Sequence, residues 1–143
     1  MGPATAADEL NVVPGLSIAG APLALHGFDP VAYFTAGEPM RGSDALVHVH
    51  DGAAYRFASQ AHLDAFKADP ARYVPAYGGF CAYGVSVGKK FDGDPTLWKI
   101  EDGRLYLNLN EDIYALFLED VDGNIEKADD KWQDIEHTAA LDL

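Results

Sequence analysis

The stretch A-L-V-H-V-H-D-G-A-A-Y-R-F-A-S, residues 45–59, decides the fold class. Residues 46–50 alternate in part between apolar and polar side chains, and Asp51-Gly52 is a favoured two-residue turn after which the chain returns. Ser59 then stands where a helix N-cap is expected, ahead of a helix that runs to about Asp69. The stretch therefore predicts a β-hairpin followed directly by a helix.

A similar order of elements follows further along the chain. Residues 97–101 and 104–109 flank Asp102-Gly103 as a second hairpin, and Asn110 is placed to cap the next helix. A final helix is predicted over residues 125–135. The two hairpins differ too much in sequence to count as an internal repeat, so we predict none. Because the strands pair locally and helices follow them, the pattern predicts an α+β fold of small antiparallel hairpins with packed helices, and no parallel sheet.

The length of 143 residues and the apolar content of 48% fit one domain with an ordinary hydrophobic core. Residues 1–22 carry proline and glycine breaks without periodicity, so we expect an N-terminal arm that lies over the domain or is disordered. The domain itself is predicted over residues 23–135, where Asp29-Pro30 begins a short helix. Residues 136–143 form a C-terminal tail.

The charge of the chain excludes some classes of partner. Asp and Glu number 23 against 10 Lys and Arg, a formal net charge of −13, which disfavours nucleic acids and anionic membrane surfaces. No apolar run approaches the roughly 18 residues of a membrane span, so we expect a soluble protein. The small, polar start is compatible with the mature form of an exported, periplasmic protein, and a cytoplasmic protein is the alternative.

Three stretches carry a family resemblance: G-F-D-P-V-A-Y-F (residues 27–34); Y-R-F-A-S (55–59) with the following Phe66, Pro70 and Tyr73; and Y-G-G-F-C-A (77–82) with L-Y-L-N (105–108). Their residues and spacings resemble the YHS family, a relative of small treble-clef-like metal modules, and in particular a bacterial subgroup that is mostly uncharacterised. The match runs from about Leu25 to Trp132. The resemblance implies a YHS-type, treble-clef-like core.

The best-known YHS modules, attached to heavy-metal pumps, carry cysteines at three positions of this frame. The corresponding residues of this chain are Ala32, Ala58 and His62. A methyl group cannot coordinate a metal ion, and soft metals need thiolates. The resemblance therefore implies the fold and argues against simple inheritance of the metal site.

Cys81 is the one cysteine of the chain, so no intramolecular disulfide can form. It lies in residues 75–95, a stretch with five glycines that we predict to be irregular, and Tyr77 and Tyr83 flank it. Cys81 could bind a soft transition metal such as copper, with His62 as the second donor, or mark a small-ligand pocket lined by the two tyrosines. The alternative is a buried core cysteine, which is the commoner case.

Other motifs carry weaker signals. His48 and His50 alternate on a strand and could reach one ion, but we expect Val47 and Val49 to face the core and leave both histidines in water. The G-x-S-x-G match at residues 84–88 lacks the strand and parallel sheet of a nucleophile elbow. Lys89-Lys90 could hold an anion, although a solvated loop is the expectation.

Three hypotheses for function follow, in this order. The first is an exported binding module of YHS type that binds a soft metal such as copper, or a small ligand, near Cys81. The second is a structural or protein-interaction domain with no metal site. The third, an enzyme that uses Cys81, ranks last because no sequence spacing places a histidine beside the thiol.

Overall fold

The computed structural model describes residues 8–17 and 19–143. The strands are β1 (Val12–Val13), β2 (Leu23–Ala24), β3 (Ser43–His50), β4 (Ala53–Phe57), β5 (Asp94–Glu101) and β6 (Arg104–Asn108). The α-helices are α1 (Ala32–Thr35), α2 (Gln60–Ala68), α3 (Pro70–Tyr73), α4 (Ala82–Ser86), α5 (Glu111–Glu119) and α6 (Val121–Ile135). Short 3-10 helices cover Leu25–Gly27, Ala76–Gly79 and Ala140–Asp142. This mixture of small sheets and packed helices confirms the predicted α+β class.

Both predicted hairpins form around their Asp-Gly turns. Strands β3 and β4 pair antiparallel, and so do β5 and β6. Asp51 and Asp102 each have a φ of 50°, and the following glycines Gly52 and Gly103 also have positive φ. A two-residue turn with positive φ at both positions matches the twist of antiparallel strands, and Asp-Gly adopts it at low cost.

The predicted helix caps are also present. The Ser59 Oγ accepts a hydrogen bond from the His62 N–H at 3.1 Å, and the Asn110 Oδ1 accepts one from the Ile113 N–H at 2.9 Å. Each cap satisfies one of the N–H groups that a helix leaves free in its first turn. The final helix begins four residues earlier than the predicted Ile125, because the Asp120 carboxylate caps it through the Gly123 N–H.

The first sheet has the strand order β1-β2-β4-β3 and takes in part of the predicted arm. Strand β1 pairs antiparallel with β2, so Val12–Val13 is built into the sheet. Strand β2 runs parallel to β4, with Leu23 opposite Ala54. Local antiparallel pairing therefore describes the hairpins, and the parallel contact of β2 with β4 is a short addition to the first hairpin. The outer residues 1–7 of the predicted arm lie outside the described residues.

The chain contains a structural repeat, contrary to the prediction of none. Each element of the second hairpin unit begins 51 residues after its counterpart in the first: Ser43 and Asp94, Ala53 and Arg104, Gln60 and Glu111. The irregularity in strand pairing falls at the same place in both hairpins, between Ser43 and Val47 and between Asp94 and Trp98. Each unit is also preceded by a turn of three successive residues with positive φ, at Leu25–Gly27 and at residues 77–79.

Strand β6 lies between the two parts of the hydrophobic core. Leu105 and Leu107 pack with the first unit, among Tyr55, Phe57 and Phe66. Tyr106 points to the other side, where it packs with Phe117, Ala128 and other residues of the second unit. Successive side chains of a strand face opposite ways, so one strand serves both clusters. The predicted irregular stretch 75–95 is partly regular, since it holds the second 3-10 turn and α4.

Among residues 8–17 and 19–143, no helix combines the length and the apolar character that crossing a bilayer requires.

Candidate functional site

The Asp29 carboxylate occupies the centre of the first unit. Its side chain is fully buried. The Oδ1 atom accepts hydrogen bonds from the N–H groups of Val31 at 2.8 Å and Ala32 at 3.2 Å, at the start of α1. The Oδ2 atom accepts from the Ala58 N–H at 2.8 Å and lies 2.6 Å from the His62 Nδ1. Four donors converging on one buried carboxylate satisfy it without a metal ion.

The structure thus brings together residues 32, 58 and 62, the positions that carry cysteines in the resembled YHS modules. Their backbone N–H groups or side chain bind Asp29, and two of the three side chains are methyl groups. The donor set in this place is one imidazole and one carboxylate. Copper prefers sulfur and imidazole donors, so the residues present do not fit a copper site of the inherited kind.

His62, predicted as the second donor of a metal site, lies between Asp29 and Thr35. Its side chain is 18% exposed. The Nδ1 atom pairs with Asp29, and the Nε2 atom lies 3.0 Å from the Thr35 Oγ1. Both ring nitrogens are engaged in the tautomer that donates from Nδ1 to the carboxylate and accepts from the threonine hydroxyl at Nε2. His62 therefore positions α2 against α1.

Cys81 is fully buried and caps α4. Its Sγ accepts from the Gly84 N–H at 3.4 Å and donates to the Asn108 Oδ1 at 3.6 Å. Burial raises the pKa of the thiol, while the N–H groups of Gly84, Leu109 and Tyr83 act in the opposite direction. These polar neighbours do not include His62. The setting matches the alternative reading, a packed core cysteine, rather than a reactive thiolate.

Asn108 is a buried polar residue that the sequence did not single out. Its Oδ1 accepts from the Cys81 Sγ and the Tyr83 N–H, which ties α4 to β6. Its Nδ2 has no hydrogen-bond partner among the described residues. No local signal in the sequence distinguishes this asparagine, because its partners lie 25 and 27 residues away.

The two tyrosines predicted to line a pocket have other roles. Tyr77 is buried, and its hydroxyl donates to the Asp129 Oδ1 at 2.8 Å. Burial and this hydrogen bond raise the pKa of Tyr77. Tyr83 is half-buried, and its backbone N–H donates to the Asn108 Oδ1. The linings of the arm groove and the polar cleft described below do not include either tyrosine.

A cavity of about 200 Å³ lies beneath the start of the described chain, and we call it the arm groove. Four separate parts of the chain line it: the arm, the first hairpin, residues 74–78 and the end of α6 with Glu136. Its apolar and aromatic lining comes from Leu10, Tyr55, Val74, Pro75 and Trp132. Its polar lining comes from Glu9, His50, Asp51 and Glu136. An apolar cavity with a few converging polar groups is the usual form of a small-ligand site.

Residues 77–79, the second of the two turns with positive φ, hold the arm in place and are called the second left-handed turn; residues 25–27 form the first. The Asn11 N–H donates to the Gly78 oxygen at 2.9 Å, and the Asn11 side chain donates to the Gly79 oxygen and to Asp92. Gly78 has a φ of +62°, and a Cβ on it would collide with the backbone oxygen of Glu9. Glycine at position 78 therefore permits both the turn and the close passage of the arm.

Lys90 was expected to lie in a solvated loop. The structure instead buries its side chain under the arm. It is 6% exposed. Its Nζ donates to the backbone oxygens of Asp8, Glu136 and Thr138 at 2.7–2.8 Å, so all three ammonium hydrogens have acceptors. The ammonium also lies 5.1 Å from the Trp132 ring centroid. One side chain thus joins Asp8 of the arm to the residues that follow α6.

The histidines of β3 face the protein, contrary to the prediction. The rings of His48 and His50 lie 6.1 and 5.8 Å from the ring of Phe66, while Val49 is 42% exposed. The pairing of β3 with β4 places the imidazoles toward α2 and turns Val49 to solvent. No group of three His, Cys, Asp or Glu side chains suited to a metal ion occurs in the described part of the chain.

Two further features, a polar cleft and the G-x-S-x-G match, do not support a ligand site. A polar cleft of about 380 Å³ is lined by His26, Arg41, Asp92 and Asp94 among others. Its carboxylates are already engaged, since Asp92 pairs with His26 and Asp94 accepts from Thr96, and the Arg41 guanidinium lies over the Phe28 ring. The Ser86 hydroxyl of the G-x-S-x-G match donates to the Tyr83 oxygen at the end of α4. It has no preceding strand, as expected.

Comparison with models of protein families, with curated proteins and with solved structures found no match for this chain. The resemblance to the YHS family therefore stays a prediction.

Proposed function

We propose that the protein is a binding module, as the YHS resemblance suggests, and that its ligand is a small organic molecule held in the arm groove. The observation that carries this proposal is one cavity lined by four separate segments, with aromatic and charged side chains on its walls. Its volume of about 200 Å³ lies below the range of drug-sized pockets, which indicates a compact ligand.

The lining of the cavity is more typical of a binding site than of a packing defect. Voids in protein cores are lined by apolar groups and stay dry, whereas this cavity opens between carboxylates and aromatic rings. Its wall on one side is the arm, which is attached through Asn11 and Lys90. A ligand can therefore be covered by a segment that is anchored at two defined points.

Metal binding through Cys81 is the weaker candidate. The thiol is fully buried, and its polar partners are an asparagine and backbone N–H groups. A copper ion there would have one sulfur and no imidazole among those partners. If no small molecule binds, the structural or interaction domain becomes the leading interpretation.

The test is a screen of compact organic molecules against ¹⁵N-labelled protein by NMR. We expect shift changes grouped on the arm, the first hairpin turn and the end of α6. In Val74→Phe the added ring fills the groove and abolishes these changes. Val87→Phe makes the same substitution at a residue that is 54% exposed and is not part of the groove lining, so binding survives. Shift changes that persist in Val74→Phe, or no binding by wild type, contradict the proposal.

A further inference from the structure

The charges around the arm groove indicate which kind of ligand it takes. Glu9, Asp51 and Glu136 bring three carboxylates to its lining. Lys90 lies under the arm, and its ammonium is already bound to three backbone oxygens. Three carboxylates and one ammonium leave two negative charges at the groove when its histidines are neutral. Such a site repels anions and attracts cations.

The aromatic lining favours the same ligand. Tyr55 and Trp132 present ring systems to the groove, and His50 adds a third ring 6.5 Å from that of Tyr55. The negative face of an aromatic ring attracts an organic cation, and the attraction grows when the cation loses water. The structure already contains one such contact, since the Lys90 ammonium lies over Trp132.

The carboxylates of the groove can accept a cation because each is paired with a histidine in a salt bridge of which one member is 78% exposed. His137 lies 3.6 Å from Glu9 and 3.3 Å from Glu136, and its side chain is 78% exposed. His50 lies 3.2 Å from Asp51. Exposed pairs of this kind contribute little to stability, so a bound cation can replace them at small cost.

We propose that the ligand of the arm groove is a compact organic cation, an amine or a guanidinium compound that carries an apolar body. This inference rests on the proposed function and adds the charge of the ligand. The ammonium or guanidinium group lies among the carboxylates of Glu9, Asp51 and Glu136. The apolar body lies against Leu10, Val74 and the aromatic rings.

The test compares three probes of nearly equal size by isothermal titration calorimetry and NMR at neutral pH: benzylammonium, benzyl alcohol and benzoate. We expect benzylammonium to bind wild type at least about fivefold more tightly than benzyl alcohol. We expect benzoate to bind more weakly still. Glu9→Gln and Glu136→Gln keep the shape of each side chain and remove its charge, and combined they reduce the preference for benzylammonium to about twofold or less.

Asp134→Asn is the matched control, because Asp134 is an exposed acid of the same helix that does not line the groove. It changes the formal net charge from −13 to about −12 and leaves the probe preference unchanged. An equal loss of preference in this control overturns the inference, since the effect then comes from the charge of the whole protein. Equal binding of benzyl alcohol and benzylammonium also overturns it, while the groove remains a ligand site. If no probe binds and Val74→Phe behaves as wild type in the wider screen, the proposed function fails as well.

Discussion

Asn in place of Asp29 tests whether this carboxylate holds the first unit together. The substitution keeps the shape of the side chain and replaces one acceptor oxygen by an NH₂ group. If the amide oxygen stays with the N–H groups of Val31 and Ala32, the NH₂ faces the N–H of Ala58, which then loses its acceptor. His62 can change tautomer and accept from the NH₂ at Nδ1, so that contact survives in weaker form.

The expected cost follows from these contacts. One buried N–H without an acceptor costs about 1–3 kcal/mol, and the remaining bonds lose the extra strength that an ionised acceptor gives them. We expect Asp29→Asn to lower the free energy of unfolding by about 2–4 kcal/mol. Urea unfolding followed by circular dichroism measures this change.

Asp120→Asn is the matched control for that substitution. The Asp120 carboxylate is exposed and caps α6 through a single hydrogen bond to the Gly123 N–H. Asparagine caps helices as well as aspartate does, so the control changes stability by less than about 0.5 kcal/mol. If Asp29→Asn lowers the free energy of unfolding no more than the control does, the four hydrogen bonds to Asp29 do not stabilise the first unit as we infer.

Three further predictions concern the helix caps, Tyr77 and the Cys81 thiol. Ser59→Ala and Asn110→Ala each lower the free energy of unfolding by about 1 kcal/mol in denaturant melts, because each removes a helix cap; an unchanged midpoint rejects the cap concerned. The pKa of Tyr77 is raised above its ordinary value of 10.0, chiefly by burial, so folding favours the neutral phenol. Its stabilising contribution is then lost as pH rises above 10, and Tyr77→Phe makes the fall of stability between pH 10 and 11.5 measurably shallower. In a competition with a chromogenic Cu(I) chelator, wild type and Cys81→Ala behave alike, and weaker competition by Cys81→Ala alone restores the thiol-centred copper site.

The parts of the fold that the sequence predicted depend on local chemistry. Asp51-Gly52 and Asp102-Gly103 define their turns through backbone conformation, and Ser59 and Asn110 cap the helices within three residues of themselves. The alternation of residues in β3 gave the wrong orientation for His48 and His50. Both imidazole rings pack against Phe66, whereas a hydrophobicity pattern treats histidine as a polar residue. Strand β2 was missed because two residues carry no periodicity.

The candidate site could not be predicted in the same way. The arm groove takes Glu9, Asp51 and Glu136 from three distant parts of the chain. Lys90 contacts residues 46, 48 and 82 positions away, so its burial depends on the tertiary fold. The sequence directed attention to Cys81 because a lone cysteine among glycines is conspicuous, whereas the charged groups of the groove are ordinary residues in an acidic chain.

The structural repeat explains what Cys81 does. Asp29 follows the first left-handed turn and receives N–H groups from the start of α1 and from Ala58, the residue before the Ser59 cap. Cys81 follows the second such turn and receives the Gly84 N–H at the start of α4. The N–H of Leu109, the residue before the next helix cap, also acts on its thiol. The two side chains therefore perform one task in the two units, the joining of a short helix to the end of a hairpin. A thiol is a weaker acceptor than a carboxylate, and the further side-chain partners, His62 in the first unit and Asn108 in the second, come from positions that do not correspond. Sequence comparison of the units therefore misses an equivalence that the backbone keeps.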